Sequence, residues 1–307
     1  MTSDQQQHDT QIWYGELTTR SALRRRGLLQ VTPGLFWILI FLTVPALALI
    51  ALSFATRGGY GEIEWVFTFE NFSRLAGYGM FGWSPDYLII LARSLWVAFV
   101  TTTICTALAF PLAFYIARKP KTSRYVWLTL VIIPFWTNLV IRTYAWQLVL
   151  SPDLPVAKLA AALGLIPAGN PLYPSEFAVY LGMISAFLPF VVLPLYSSVE
   201  KLDWSLVEAA YDLYSNRRRV FMQAILPQTL PGLSVGAILT FVPAMGMFLI
   251  PDFLGGAKYM LVGNLIQQQF GKSRDWPFGA AVSLALMLLT LVGLFVFRRK
   301  GEKMEVV

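Results

Sequence analysis

The chain has 307 residues, of which 56% are apolar and 13% charged, with a formal net charge of +7. So small a charged share excludes a water-soluble single-core protein and makes lipid the main solvent. A nucleic-acid binder would gather such a charge on one exposed face, whereas here the cations fall in short clusters between apolar runs.

In chain order, residues 1–32 read as a polar tail, and it holds the single histidine, His8, which excludes a histidine-built metal site. A spanning helix needs about 20 mostly apolar residues. Six windows satisfy this: 33–55, 87–117, 125–150, 177–199, 224–250 and 277–297. The fold expected is therefore all-α and integral to the membrane, with one six-span domain over 33–297 and a second short tail at 298–307. The first window follows too long a polar tail, and is itself too long, for a cleavable signal, so it reads as a retained anchor. Cys105 is alone in the second window and reads as an inert buried thiol. Prolines 45, 111, 134, 189, 194 and 243 lie inside spans, where each removes a backbone donor and bends its helix. Bent helices leave room for a path, and the accumulation suggests a transporter.

Sixteen of the 24 Lys and Arg residues cluster on one side of the spans and six on the other, while Arg93 and Arg142 fall within spans. The positive-inside rule then places both termini, and the segment 201–223, in the cytoplasm. That segment has helical spacing: Trp204, Val207, Tyr211 and Tyr214 form an apolar stripe, and Ser205, Glu208, Asp212 and Ser215 a polar one. One face can lie on the bundle while the other meets water or a protein. Ser205 and Glu208 also match a capping box, which would leave Glu208 as the closure of a helix N-terminus. The run Arg217-Arg218-Arg219 reads as a headgroup anchor.

Glu208-Ala209-Ala210, with Asp212 and then Ile225-Leu226-Pro227, resembles the "EAA" loop of binding-protein-dependent ABC importer permeases. The resemblance implies the type I importer permease fold, with cytoplasmic coupling helices that dock on a separate ATPase subunit. Glu208, Ala209, Ala210, Asp212 and Pro227 would carry that coupling. The family's usual central glycine is replaced by Tyr214, so the break between short helices would rest on Ser215-Asn216, where Asn tolerates left-handed backbone.

Further strings, "PFWTNLVIRTYAW" at 134–146 and "PAMGMFLIPDFLGGAKYMLVGNLIQQQF" at 243–270 with "RDWPFGAA" at 274–281, look like the polyamine (spermidine/putrescine) permeases of the first-permease type. The resemblance implies a homologous second permease subunit, two ATPase subunits that bind the ATP and Mg²⁺, a periplasmic polyamine-binding protein, surrounding lipid and no nucleic acid. This chain itself would carry no cofactor and no catalysis.

A polycation path wants carboxylates or aromatic faces. Candidates are Trp136, Asn138, Tyr144, Trp146, Phe241 and Asp252, with Asp275 also near an outer end. Arg142, four residues from Asn138 and so on its helix face, would repel a cation and reads as a structural or gating residue. Arg93, near a span end, can snorkel. Gly271-Lys272-Ser273 ends like a phosphate loop, but Ile266 stands where the pattern needs glycine. Asn71-Phe72-Ser73 is a glycosylation sequon by letter only. The alternatives are an ABC permease for another small solute, or an ion-coupled secondary transporter. The latter would need an intramembrane carboxylate or broken-helix ion site.

Overall fold

The structure, a computed structural model, describes residues 30–79, 82–164, 172–213, 216–256 and 259–305. The chain divides into two compact units, one ending at Leu52 and the other running from Ser53. The first unit contains nearly all of helix α1, Gln30–Ser53. Its side chains Leu35, Phe36, Trp37 and Phe41 are exposed, as suits a helix whose solvent is hydrocarbon. A π turn at Leu39–Thr43 ends two residues before Pro45. A wider turn absorbs the hydrogen bond that proline cannot donate.

In the second unit come α2 (Glu70–Leu75), α3 (Asp86–Ala117), α4 (Lys121–Trp136), α5 (Leu139–Val149), α6 (Pro155–Ala162) and α7 (Glu176–Glu200). They are followed by α8 (Trp204–Asp212), α9 (Arg217–Met245), α10 (Leu249–Leu254), α11 (Val262–Phe270) and α12 (Trp276–Glu305). Strand structure among the described residues is confined to two short ladders, Thr56–Arg57 with Ile63–Glu64 and Tyr78–Gly79 with Gly82–Trp83.

Helices α1, α3, α7, α9 and α12 are each long and apolar enough to cross a membrane. The expected third span is not one helix: α4 and α5 meet at a 93° bend. The pair nevertheless reaches both ends of the bundle. Arg124 at the start of α4 bonds Glu200 at the end of α7 (3.0 Å), while beyond the end of α5 the Leu172 N–H donates to the Leu150 carbonyl (3.1 Å). Among the described residues the helices thus offer six candidate crossings, one of them broken.

Helix α7 is the centre of the core, with Val179, Met183, Ala186, Val191 and Leu195 buried. Small residues bring its neighbours close: Ala98, Ala109 and Ala113 on α3 are fully buried, and α9 presents Gly232 and Gly236. A Cβ on Gly232 would stand 2.4 Å from the Pro194 carbonyl oxygen, and one on Gly236 2.9 Å from the Val191 Cα. This backbone approach lets dispersion hold helices together where lipid tails compete equally for apolar surface. Pro111, Pro189 and Pro194 lie within continuous helices, so proline alone does not break a span here.

Helix α9 begins at Arg217, seven residues before the apolar window, and ends at Met245. Its π turn at Phe221–Ile225 ends two residues before Pro227, the arrangement already seen at Pro45.

At the end of the bundle opposite α8, residues 53–79 are fastened down. The Asn71 side-chain amide donates to the Ser53 and Ala55 carbonyls (3.0 and 2.8 Å), which buries the sequon asparagine. Phe54 packs against Phe67, Phe69 and Phe72. Arg74 Nη1 lies 3.0 Å and Arg57 Nη1 3.8 Å from Asp275 Oδ2, while Asp275 Oδ1 accepts the Phe278 N–H at the start of α12. Asp275 is only 1% exposed, so the reading of it as a carboxylate open to a passing cation is corrected. Two arginines and a helix N-terminus already hold it.

Candidate functional site

Helix α8 stands alone between the ends of α7 and α9. Its N-cap is Asp203, whose Oδ1 accepts the Ser205 N–H (2.9 Å) and the Ser205 hydroxyl (2.7 Å). The Asp203 N–H donates in turn to Gln228 Oε1 on α9 (2.8 Å), which fixes where α8 starts. The capping-box reading of Ser205 and Glu208 is therefore corrected: Ser205 is the second helical residue and Glu208 is free of the N-terminus. The hydrogen bonds from Ser205 hold the Asp203 carboxyl below its usual range.

Val207, 4% exposed, packs with Leu202 and Val220 against Phe114, Ala210, Ala224 and Ile225. Burying a valine contributes about 1.5–3 kcal/mol, enough to seat a two-turn helix that could not persist alone. At about 100° per residue, Ala209 falls on the face opposite Val207, with Glu208 and Asp212 beside it. All three are exposed. The expected apolar stripe is thus only partly buried: Val207 is inside, but Trp204 and Tyr211 are half exposed, as is Leu206, and Leu213 is 79% exposed. Ala209 and Ala210 divide their duties, the first facing outward and the second packing on the bundle. Neither Glu208 nor Asp212 makes an ion pair among the described residues.

Tyr214 and Ser215 lie outside the described residues. Asn216 does not supply a left-handed break; its φ is −74°, and its side chain caps the next helix by accepting the Arg219 N–H (2.8 Å). Arg217, Arg218 and Arg219 are exposed in the first turn of α9, where the helix dipole disfavours cations, so their stabilisation must come from outside that helix. Pro227 is exposed on the flank of α9.

The candidate path residues fall into separate groups. At the α4–α5 break, Asn138 is the N-cap of α5 and accepts the Val140 N–H (2.8 Å), so its side chain faces backbone rather than a lumen. Arg142 Nη1 donates to the Pro134 carbonyl (2.9 Å), which the break has deprived of its helical donor and which Thr137 Oγ1 also reaches (2.6 Å). Arg142 thereby clips the elbow. Trp136, beside it, is 79% exposed.

Farther along α5, Tyr144 meets the Phe253 ring edge-on at 4.8 Å, and Gln147 donates to the Phe253 carbonyl (2.7 Å). The Trp146 indole N–H donates to Ser185 Oγ on α7 (2.9 Å). Tyr144 and Gln147 thus pack α5 against α10 at Phe253, the residue after Asp252. Asp252 lines a polar cavity of about 260 Å³ with Tyr259, Asn264, Gln267, Gln268 and Lys272. Phe241 lines a different one, an apolar cavity of about 410 Å³ between α3, α9 and α12.

Three contacts have no signal in the sequence. The Tyr259 hydroxyl donates to Glu176 (2.7 Å), and burial followed by that bond pushes its pKa up. Arg93 sits over the Tyr259 ring at 5.4 Å, where it was expected only to snorkel. The Val262 N–H donates to Ser94 Oγ (2.8 Å), tying α11 to α3. Sequence separations of 83 and 168 residues leave no local signal for such pairs.

Over residues 109–305 the chain matches the family described as binding-protein-dependent transport system inner membrane component, and it belongs to that family. It is 40% identical over 266 residues to the spermidine/putrescine transport system permease protein PotB of Escherichia coli (strain K12), covering 87% of this chain and 94% of that one. Against PotB of Haemophilus influenzae the identity is 39%, covering 87% and 91%. The inner membrane ABC transporter permease protein YdcU of Escherichia coli (strain K12) is 32% identical over 233 residues, covering 71% and 73%. Among solved structures, a chain of a bacterial ABC transporter that imports the acidic polysaccharide alginate superposes with a TM-score of 0.65 at 18% identity. It covers 92% of this chain and 98% of its own length, a likeness of fold.

Proposed function

We propose that this chain is one of two unlike membrane subunits of an ATP-driven polyamine importer, spermidine or putrescine being the cargo, with both termini and α8 on the cytoplasmic side. The outward face of α8 carries the reading. Glu208, Asp212 and Ala209 form a small, acidic face, without an ion pair among the described residues and flanked by exposed Trp204, Leu206 and Leu213. Such a face fits a groove on a protein partner that supplies donors. The sixteen cations gathered at the tails and on the α8 side support the orientation. The likeness to PotB over most of the chain supports the cargo.

In this reading the ATP and Mg²⁺ belong to two ATPase subunits, a second homologous permease completes the path, and a periplasmic polyamine-binding protein delivers cargo. Closure of the ATPases draws the α8 helices together and tilts α3, α7 and α9, because α8 is fixed to α9 by Gln228 and Val220. Nucleotide and loaded receptor each shift a two-state equilibrium. Carboxylates on the crossings from α3 to α9 are terminal, at Asp86, Glu176 and Glu200, which gives an ion-coupled carrier no buried site there. For the path we assign Trp136, Tyr144, Phe241 and Asp252 to contact with the polycation, Asn138 and Arg142 to holding the elbow, and Trp146 to fastening α5 to α7.

The test is co-purification of the complete complex. Glu208→Lys or Ala209→Trp should abolish recovery of the ATPase with this chain, along with labelled spermidine uptake. Unchanged ATPase recovery with full uptake in both variants would refute the assignment of α8.

A further inference from the structure

A cavity of about 290 Å³ opens where the ends of α3, α4 and α7 meet the first residue of α8. Its walls include Phe114, Arg118, Arg124, Val199, Glu200 and Trp204. The connection between α3 and α4 and the first turn of α4 supply four cations, Arg118, Lys119, Lys121 and Arg124, and no acid. Their donors are unevenly engaged. Arg124 gives one bond to Glu200 (3.0 Å) and one to the Lys119 carbonyl (2.6 Å). Lys119 lies over the Tyr115 ring at 4.4 Å. Arg118 is exposed, and its side chain makes no hydrogen bond or ion pair among the described residues, although a guanidinium carries five N–H donors.

An unpartnered guanidinium, a second with spare donors and a single carboxylate already paired make the cavity a receptor for a phosphate-bearing anion. Its position selects the source. Three of its walls are ends of membrane-crossing helices, and the exposed Tyr115 and half-buried Phe114 offer apolar surface beside the cations. We propose that this cavity holds the headgroup of an anionic phospholipid of the cytoplasmic leaflet, and that the lipid steadies the base of α8 through Trp204. The leaflet assignment rests on the orientation given above. Basic residues at such a boundary each strengthen anionic-lipid binding about fivefold. The geometry adds a specific seat to that general attraction.

The complete complex, reconstituted with phosphatidylglycerol and phosphatidylcholine in equal amounts and then washed in detergent, is assayed for retained phospholipid of each class. Phosphatidylglycerol should be retained over phosphatidylcholine, and Arg118→Gln should lower its retention about fivefold. Lys158→Gln, on α6, should leave it unchanged. Thermal unfolding of each variant separates loss of the site from loss of the fold. Equal retention of the two lipids, wild-type retention by Arg118→Gln, or displacement of the lipid by millimolar inorganic phosphate would overturn the proposal. Spermidine uptake by the wild-type complex in vesicles that contain phosphatidylglycerol reads the transport assignment whether or not the seat exists, so the two can fail separately.

Discussion

Replacing Asp275 tests how residues 53–79 are held to the bundle. The carboxylate faces Arg74 at 3.0 Å and Arg57 at 3.8 Å with its own side chain 2% exposed. Removing one member of a fully buried pair costs about 3–5 kcal/mol. The Arg74 side chain is 31% exposed, so water can reach the orphaned cation, and Asp275→Asn should cost about 2–3 kcal/mol. Asparagine can still accept the Phe278 N–H; alanine cannot, and losing that cap adds about 1 kcal/mol. Hydrogen exchange on the assembled complex is the assay. In Asp275→Asn, amides of 53–79 should open on the order of 100-fold more often, a factor of ten per 1.4 kcal/mol, while those of α7 keep their protection. Arg74→Gln in the same background should add little, because the partners act as one unit. Unchanged exchange in 53–79, or equal exchange in the Asn and Ala variants, would refute the clasp.

Gly232→Val should prevent assembly or lower the unfolding temperature by several degrees, because Pro194 backbone occupies the place of the new side chain; over-packing costs about 1–3 kcal/mol or more. Arg142→Met should cost about 1 kcal/mol while Thr137 still serves the Pro134 carbonyl, and Thr137→Val with Arg142→Met should cost more than the two singly, read as thermal unfolding of the complex. The Asp203 cap gives a pH dependence. Its folded pKa is lowered, so its contribution is complete above the unfolded value of about 3.9 and is lost as pH falls through the lower folded value. Exchange protection of α8 should fall in that acid window in the wild type and stay level in Asp203→Asn, which caps without charge.

The crossings were legible because a bilayer demands long apolar runs, and nothing else in the chain supplies them. The break in the third was not, because Pro134 resembles the prolines of unbroken α3 and α7. The deciding signal was Asn138, a cap residue four positions on, where a new helix can start once the old one ends. In α8 the Ser205, Glu208 and Asp212 of the polar stripe are exposed, while its Ser215 lies outside the described residues. The cap was misplaced because Asp203 and Ser205 are both good cap residues, and the choice is made by Gln228, 25 positions away. Asp275 was visible as an outer carboxylate, but its neutralisation by Arg74 spans 201 residues. Local chemistry announces itself in a sequence; long-range pairing of charges does not.

The elbow at Thr137 and Asn138 has a mechanical consequence. On one side α4 is moored to the end of α7 by Arg124 and Glu200; on the other α5 is moored to α10 by Gln147 and Phe253. A straight rod would carry any inclination at one mouth undiminished to the other. Two half-length levers, joined at a pair of residues and clipped across Pro134 by Arg142, can instead hold different inclinations, so the tilt at one mouth need not equal the tilt at the other.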